Sequence, residues 1–313
     1  MANKSNKNSN QSSHKIPFPL ASLPAVLLPW YDREKRSLPW RDIVTPYRTW
    51  VSEIMLQQTR VQAVLPYFER FMSAAPDVPA LAELAEDRLL SLWQGLGYYS
   101  RARSLQRSAR VMVDQYGGCL PDTYSGLIQL PGIGDYTAGA ILSIAFNKAV
   151  PAVDGNVLRI AARLTACGDN VLDLRTRQHV RDALAAVMPT DRPGDFNQAM
   201  MELGATVCLP NGAPLCDLCP ARAFCTARLT GRTGQLPVKA AKKARRVEER
   251  TVFLIFHENR VALRRRPGRG LLAGLWEYPN ELSPAGDALA RWGIAPASLR
   301  SAGTGKHIFT HIE

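Results

Sequence analysis

From Thr45 to Cys208 apolar residues recur at helical spacing, and strand-like alternation with a period of two is scarce. That pattern excludes a sheet-based core for the larger part of the chain. Thr45 offers a capping oxygen and Pro46 suits a first helical turn, leading into YRTWVSEIMLQQTRVQAVLPYFERFM. Further helical patterns follow in ALAELAEDRLLSLWQGL, SRARSLQRSARVMVDQYG, TYSGLIQL, YTAGAILSIAF, NVLRIAARLTA, RQHVRDALAAVM and FNQAMMELGATVC. An all-helical module is expected. Ahead of it, Ile16 to Tyr31 is free of charge but holds Pro17, Pro19, Pro24 and Pro29. It is too short for a membrane span and reads as a proline-rich packing segment.

Near residue 251 the period changes. TVFLIF and VALRRR flank HENR as two short strands around a turn, followed by the glycine-rich loop PGRGLLAGLWEYPN. The organisation expected is a polar tail over 1–15, a helical module over 16–225, an exposed basic linker over 226–250 and a mixed domain over 251–313. That last stretch is thin for an independent core, and KHIFTHIE reads as an unfinished strand, so an incomplete domain is expected.

The 313 residues are 46% hydrophobic and 21% charged, which fits a globular chain rather than a disordered or fibrous one. The formal charge of +12 suggests a polyanionic partner, but residues 16–221 hold 19 basic and 20 acidic side chains, close to neutrality. The excess sits in 1–15, in 222–250 with 9 basic against 2 acidic residues, and in 251–313. A nucleic-acid reading therefore needs local geometry in the helical module, with the basic tract adding salt-dependent affinity. The polar start carries no secretory signal, so an intracellular soluble protein without a membrane partner is expected.

Three local patterns carry chemistry. In LIQLPGIGDYTAGAILSIAF, Gly132 and Gly134 permit a tight turn between two helical patterns, and the next helix can offer unpaired N–H groups to an anion. An ordinary helix–helix turn is the plain alternative to a helix-hairpin-helix that grips backbone phosphate. Glu53 is flanked by Val51, Ile54, Met55 and Leu56; if buried there it would retain a proton near neutrality and serve as a general acid, and if not it is a surface acid. Asp154 precedes a helical pattern in VPAVDGNVLRIAARL and suits an N-cap that stays ionised. One protonated acid beside one anion suits cleavage of a glycosidic bond through an oxocarbenium-like centre.

Six cysteines are too sparse for a disulfide scaffold, yet four form Cys208-x7-Cys216-x2-Cys219-x5-Cys225. Four thiolates at that spacing can hold a [4Fe–4S] cluster or zinc, and spacing alone does not choose. Cys119 and Cys167 stand apart as ordinary buried or partly buried thiols.

These motifs converge. LPWR (38–41), WVSEIMLQQTRV (50–61), GLGYYSRAR (95–103), LPGIGDYTAGAI (130–141), VDGNV (153–157), NQAMMELGATVC (197–208) and the cysteine loop together resemble the adenine DNA glycosylases of the helix-hairpin-helix, iron–sulfur endonuclease III superfamily. The resemblance implies a mainly α fold: a helix-hairpin-helix glycosylase module with a [4Fe–4S] loop, then an incomplete α/β Nudix-like domain. It implies a monofunctional enzyme that hydrolyses the N-glycosidic bond of adenine opposite 8-oxoguanine or guanine. A monomer acting on double-stranded DNA in a bacterial cytoplasm, at the nucleoid, is expected.

By the same resemblance Glu53 protonates adenine, Asp154 stabilises the sugar cation, Asn156 stands beside it and Glu202 is a supporting pocket acid. Asn156 reads equally as a helix-start residue and Glu202 as a salt-bridged acid. Tyr136 occupies the place where bifunctional relatives keep a lysine, and a tyrosine cannot form their Schiff base. Gln58, with Thr59 next to it, and Tyr98 resemble residues inserted near the lesion pair while adenine is extruded. Arg101, with Arg103, Arg107 and Arg110, is a candidate phosphate contact or a solvent-facing helix charge. The first cysteine interval is one residue longer than the family's common spacing, and Asn211, Gly212 and Pro214 accommodate it. Residues 251–313 are similar to the start of a Nudix-like lesion reader, with Thr310 and His311 as candidate contacts and no acidic hydrolase box. The competing readings are a bifunctional oxidised-pyrimidine glycosylase/lyase and a non-catalytic helix-hairpin-helix DNA-binding protein.

Overall fold

In the computed structural model, residues 18–241, 245–282 and 287–309 are described. The 1–15 tail and the proposed contacts Thr310 and His311 lie outside them. The chain divides into units at Met1–Ala240 and Ala241–Glu313.

Thr45 caps as its position predicts: its hydroxyl accepts the Arg48 N–H (3.1 Å), and Pro46 opens the helix Pro46–Leu56. The long helical run expected to continue through Met72 is instead broken at Gln57–Arg60, and a second helix starts at Val61 and runs to Ala74. The bonds that fasten this break come from elsewhere in sequence. Arg101 takes the carbonyls of Ile54, Met55 and Gln57, and Gln58 turns the chain with a left-handed φ of 57°.

Two apolar clusters organise the first unit. One gathers Trp50, Met55, Phe68, Phe71, Trp93, Leu105 and Met112. The other gathers Leu23, Leu27, Trp30, Phe196, Met200 and Leu203. Each such side chain contributes roughly 1.5–3 kcal/mol on full burial. The proline-rich start is helical over Leu23–Glu34, with Pro24 in its first turn and Pro29 inside it. The helix Asp135–Phe146 packs against both Pro46–Leu56 and Pro193–Thr206, so its N-terminus stands where the clusters meet. That junction brings together residues far apart in sequence.

The basic segment does not begin as a linker. Thr226–Leu229 is a short helix, Leu236 is 3% exposed within the second cluster, and Val238 accepts the Val171 N–H (3.1 Å). Burial of Leu236 ties the chain to the helical unit up to Ala240, so the boundary expected at 225 falls later.

The second unit contains three two-stranded antiparallel ladders among the described residues: Arg250–Val252 with Asn280–Leu282, Phe256–His257 with Arg260–Val261, and Arg264–Arg265 with Trp276–Glu277. The expected hairpin around HENR is the middle one. Pro279, Asn280 and Ala288 are the buried residues among those described in this unit.

Candidate active site and nucleic-acid interface

Glu53 projects from the middle of its helix and is 6% exposed. Burial is the main force on its carboxyl and raises its pKa to about 7; the Tyr136 hydroxyl opposes this, the charge of Asp154 adds to it and that of Arg41 subtracts. Tyr136, in the first turn of Asp135–Phe146, donates to Glu53 Oε2 (2.6 Å) and also approaches Met201 Sδ (3.6 Å). Its own pKa is pushed well up, first by burial and then by the two carboxylates. Tyr136 is therefore a neutral donor to Oε2 of Glu53.

Asp154 caps the helix Gly155–Thr165. Its Oδ1 accepts the N–H groups of Asn156 and Val157 (both 2.8 Å), and its Oδ2 accepts Asn156 Nδ2 (2.7 Å). Burial raises its pKa, while those three bonds and the charge of Arg159 pull it down. The cap expected from the sequence is present, while burial, the largest influence on this carboxyl, works against the expectation that it stays ionised. Asn156 in turn accepts from Arg159 Nη2 (2.9 Å), whose guanidinium also reaches the carbonyls of Cys208 (2.8 Å) and Gly204 (2.8 Å). A Cβ on Gly204 would stand 2.5 Å from that of Asn156, so this glycine lets two helices close on the Asp154 support.

Glu202 is fully buried and ion-paired. Arg36 bonds both its oxygens (2.5 and 3.0 Å) and Arg41 adds a third contact (2.8 Å). Burial alone would raise its pKa, but the two guanidinium groups prevail and hold it below the usual carboxylate range. It is an ionised strut, no proton source. Arg41 closes the LPWR motif and Arg36 stands two residues before it, but the sequence assigned neither of them a role. Asn197 opens the NQAMMELGATVC motif but was given no role of its own: it bonds the Ala152 N–H (3.1 Å), Ser143 Oγ (2.7 Å) and the Val150 carbonyl (2.9 Å), pinning the segment that delivers Asp154.

The hairpin follows the helix Tyr124–Ile128. Gly132 has φ +83°, and a Cβ there would meet that of Ser104 at 2.8 Å, so only glycine fits. Gly134 needs no such freedom: it is extended, and no side chain caps the helix that starts after it. That start is open to an anion. Ser108 Oγ donates to Pro131 O (2.7 Å), and Asp135 is held by Tyr124 (2.6 Å) and Arg181 (2.7 Å).

Gln58 and Tyr98 both lie exposed in left-handed backbone, at φ 57° and 49°. Thr59 sits beside Gln58 with its hydroxyl on the Gln57 carbonyl (3.3 Å). Arg101 is a correction: at 8% exposure its two terminal nitrogens are spent on protein acceptors, so it cannot meet phosphate. Arg103 pairs with Glu86 (2.8 Å), Arg107 reaches Ser104 Oγ (3.0 Å) and Arg110 reaches the Ala82 carbonyl (3.2 Å). Cys119, expected to be at least partly buried, is exposed.

Cys208, Cys216, Cys219 and Cys225 line one cavity with Ile160, Leu164, Leu203 and Val207. Arg163 Nη1 lies 3.2 Å from Cys208 Sγ, a donor suited to thiolate. Burial pushes the free Cys219 thiol up to about 11. Ligation to a cationic centre would be needed to hold it deprotonated; among the described residues no set of three or more His, Cys, Asp or Glu side chains is gathered closely enough to hold a metal ion, so the four cysteines share a cavity without forming a ready-made site.

This all-helical frame thus carries a buried glutamate, a capping aspartate and a glycine hairpin leading into a helix start that no side chain caps. Residues 51–187 match the HhH-GPD superfamily base excision DNA repair proteins, and residues 251–313 match the NUDIX domain. The fold resembles that of a thermostable thymine-DNA glycosylase (TM-score 0.62, 24% identity, covering 68% of this chain and 97% of that one). It also resembles endonuclease III in a non-covalent DNA complex (TM-score 0.57, 22% identity, 68% and 97% covered). The adenine DNA glycosylase of Mus musculus is 39% identical, over 92% of this chain and 68% of its own length. That of Buchnera aphidicola (strain APS) is 36% identical, with 81% and 73% covered. The chain belongs to the adenine DNA glycosylase family, and is a base-excision repair enzyme that acts on DNA.

Proposed function

We propose that this glycosylase releases adenine mispaired with 8-oxoguanine or guanine, and does so as a monofunctional hydrolase. The observation that carries the reading is the Glu53 carboxyl, raised to about 7 by burial and bonded on one oxygen by Tyr136. Its proton passes from Oε1 to N7 of the extruded adenine. The C1′–N9 bond then breaks with its electron pair leaving on adenine. The sugar cation is balanced by the Asp154 carboxylate, and water adds to C1′. With tyrosine at 136, no amine of that residue can attack C1′, which supports base release without strand cleavage.

Gln58 and Tyr98 enter the duplex beside the lesion pair, replacing stacking lost on extrusion. The hairpin at Gly132 and Gly134 holds backbone phosphate. The four cysteines that line one cavity take a [4Fe–4S] cluster in preference to zinc, a reading supported by the match to the HhH-GPD superfamily. Bound there, the cluster would tie the loop to the helix Gly155–Thr165, which bears both Arg159 and Arg163; iron and sulfide analysis of the purified protein tests it. The 251–313 unit reads the opposing lesion.

The deciding experiment is single-turnover release on duplexes with adenine opposite 8-oxoguanine, adenine opposite guanine, and oxidised pyrimidines, with and without alkaline treatment. Adenine release that E53Q abolishes, and strand scission only after alkali, is the expected result. Scission without alkali, or release from oxidised pyrimidines alone, would overturn it.

A further inference from the structure

Gln58 and Tyr98 sit on different turns, and one guanidinium lies between them. Arg101 Nη1 donates to the carbonyls of Ile54 (3.0 Å), Met55 (2.8 Å) and Gln57 (2.5 Å). Its Nη2 donates to Thr59 Oγ1 (3.2 Å) and to the carbonyls of Leu96 and Gly97 (both 3.1 Å). The acceptors thus bracket Gln58 on both sides and immediately precede Tyr98. The cation also stands 5.4 Å from the Trp93 ring centre and 5.5 Å from that of Tyr98.

A helix C-terminus can be closed by glycine or water, so a buried cation is not required merely to end Pro46–Leu56. What arginine adds is a rigid fork whose donors reach two separate turns at once, which a lysine's point charge cannot reproduce. Both exposed side chains stand on backbone that residues with a Cβ adopt rarely. Such turns keep their shape when the surrounding bonds over-determine them.

Resting on the reading that Gln58 and Tyr98 enter the duplex, we propose that Arg101 is a positioning residue for base extrusion: it locks the two turns to one another so that both side chains meet DNA without reorganising. It touches neither substrate nor reacting atoms. Its removal leaves the chemistry at Glu53 and Asp154 intact and slows the step that delivers adenine to them.

The test uses the full-length holoenzyme and stopped-flow fluorescence of 2-aminopurine placed beside the target adenine, followed by single-turnover release. R101M and R101K should slow the fluorescence rise by about tenfold or more, with a matching loss in release from the paired substrate. With adenine opposite an abasic-site analogue, where extrusion is easy, release should recover towards the parental rate. A purely structural role predicts equal loss on both substrates together with a lower melting temperature, and that outcome overturns the proposal. R101K keeps the charge and three donors, so it and T59V carry the measurement should R101M fail to fold. Q58A and Y98A separate the two ideas. If they extrude slowly while the Arg101 and Thr59 variants extrude normally, only the positioning role fails; if Q58A and Y98A extrude normally, the duplex-entry reading fails and takes this proposal with it.

Discussion

Glu53 shows how a single carboxyl links stability to chemistry. Its pKa is about 7 in the folded chain against an ordinary 4.5, so between those values the folded state binds more protons than the unfolded one. Stability must therefore fall as pH rises across that window, reaching a penalty of order 3 kcal/mol above it. E53Q should be nearly neutral at pH 4 and more heat-stable than the parent at pH 8, as calorimetry at both values would show. The rate has the opposite dependence on the same proton: release should decline as pH rises through about 7, because only the protonated acid is competent. Y136F deletes the bond that lowers this pKa, so its alkaline limb should move to higher pH in a pH–rate profile. The apolar neighbours of Glu53 and the capping position of Asp154 were readable in sequence because both depend on adjacent residues. Glu202 could be read as a salt-bridged acid, but not its partners Arg36 and Arg41, which meet it across more than one hundred and sixty positions.

At the scale of elements, periodicity located the helices and missed where one of them stops. The run from Tyr47 has no glycine or proline at Gln57–Arg60, so nothing local marks the break; the bonds that fasten it come from Arg101, on another helix. The same limit explains the boundary at Ala240. Polar and basic composition hides Leu236, whose burial joins that segment to the second cluster. L236A should cost about 2–4 kcal/mol in denaturant unfolding. G204A is the sharper probe: its Cβ would press on Asn156, so it should slow base release at saturating enzyme by about tenfold or more through displaced support of Asp154. DNA affinity should be unchanged. A variant that releases adenine at the parental rate would separate Asn156 from the chemistry.

For the whole molecule, the uneven charge makes a prediction about salt. The helical stretch 16–221 is nearly neutral and the tract after it is strongly basic. K239A and R245A, both at exposed positions, should each flatten the log–log salt dependence of non-specific DNA affinity by at most about one. Saturated single-turnover release should stay the same. The second unit has a different consequence. Its ladders are two strands wide, Phe256 and Trp276 are 70% and 67% exposed, and few of its described residues are buried. Two-stranded ladders without a covered face are marginal in water. A protease should therefore cut the chain in two stages: rapid loss of the region beyond Ala240, then long survival of a helical fragment that keeps Leu236 at its edge.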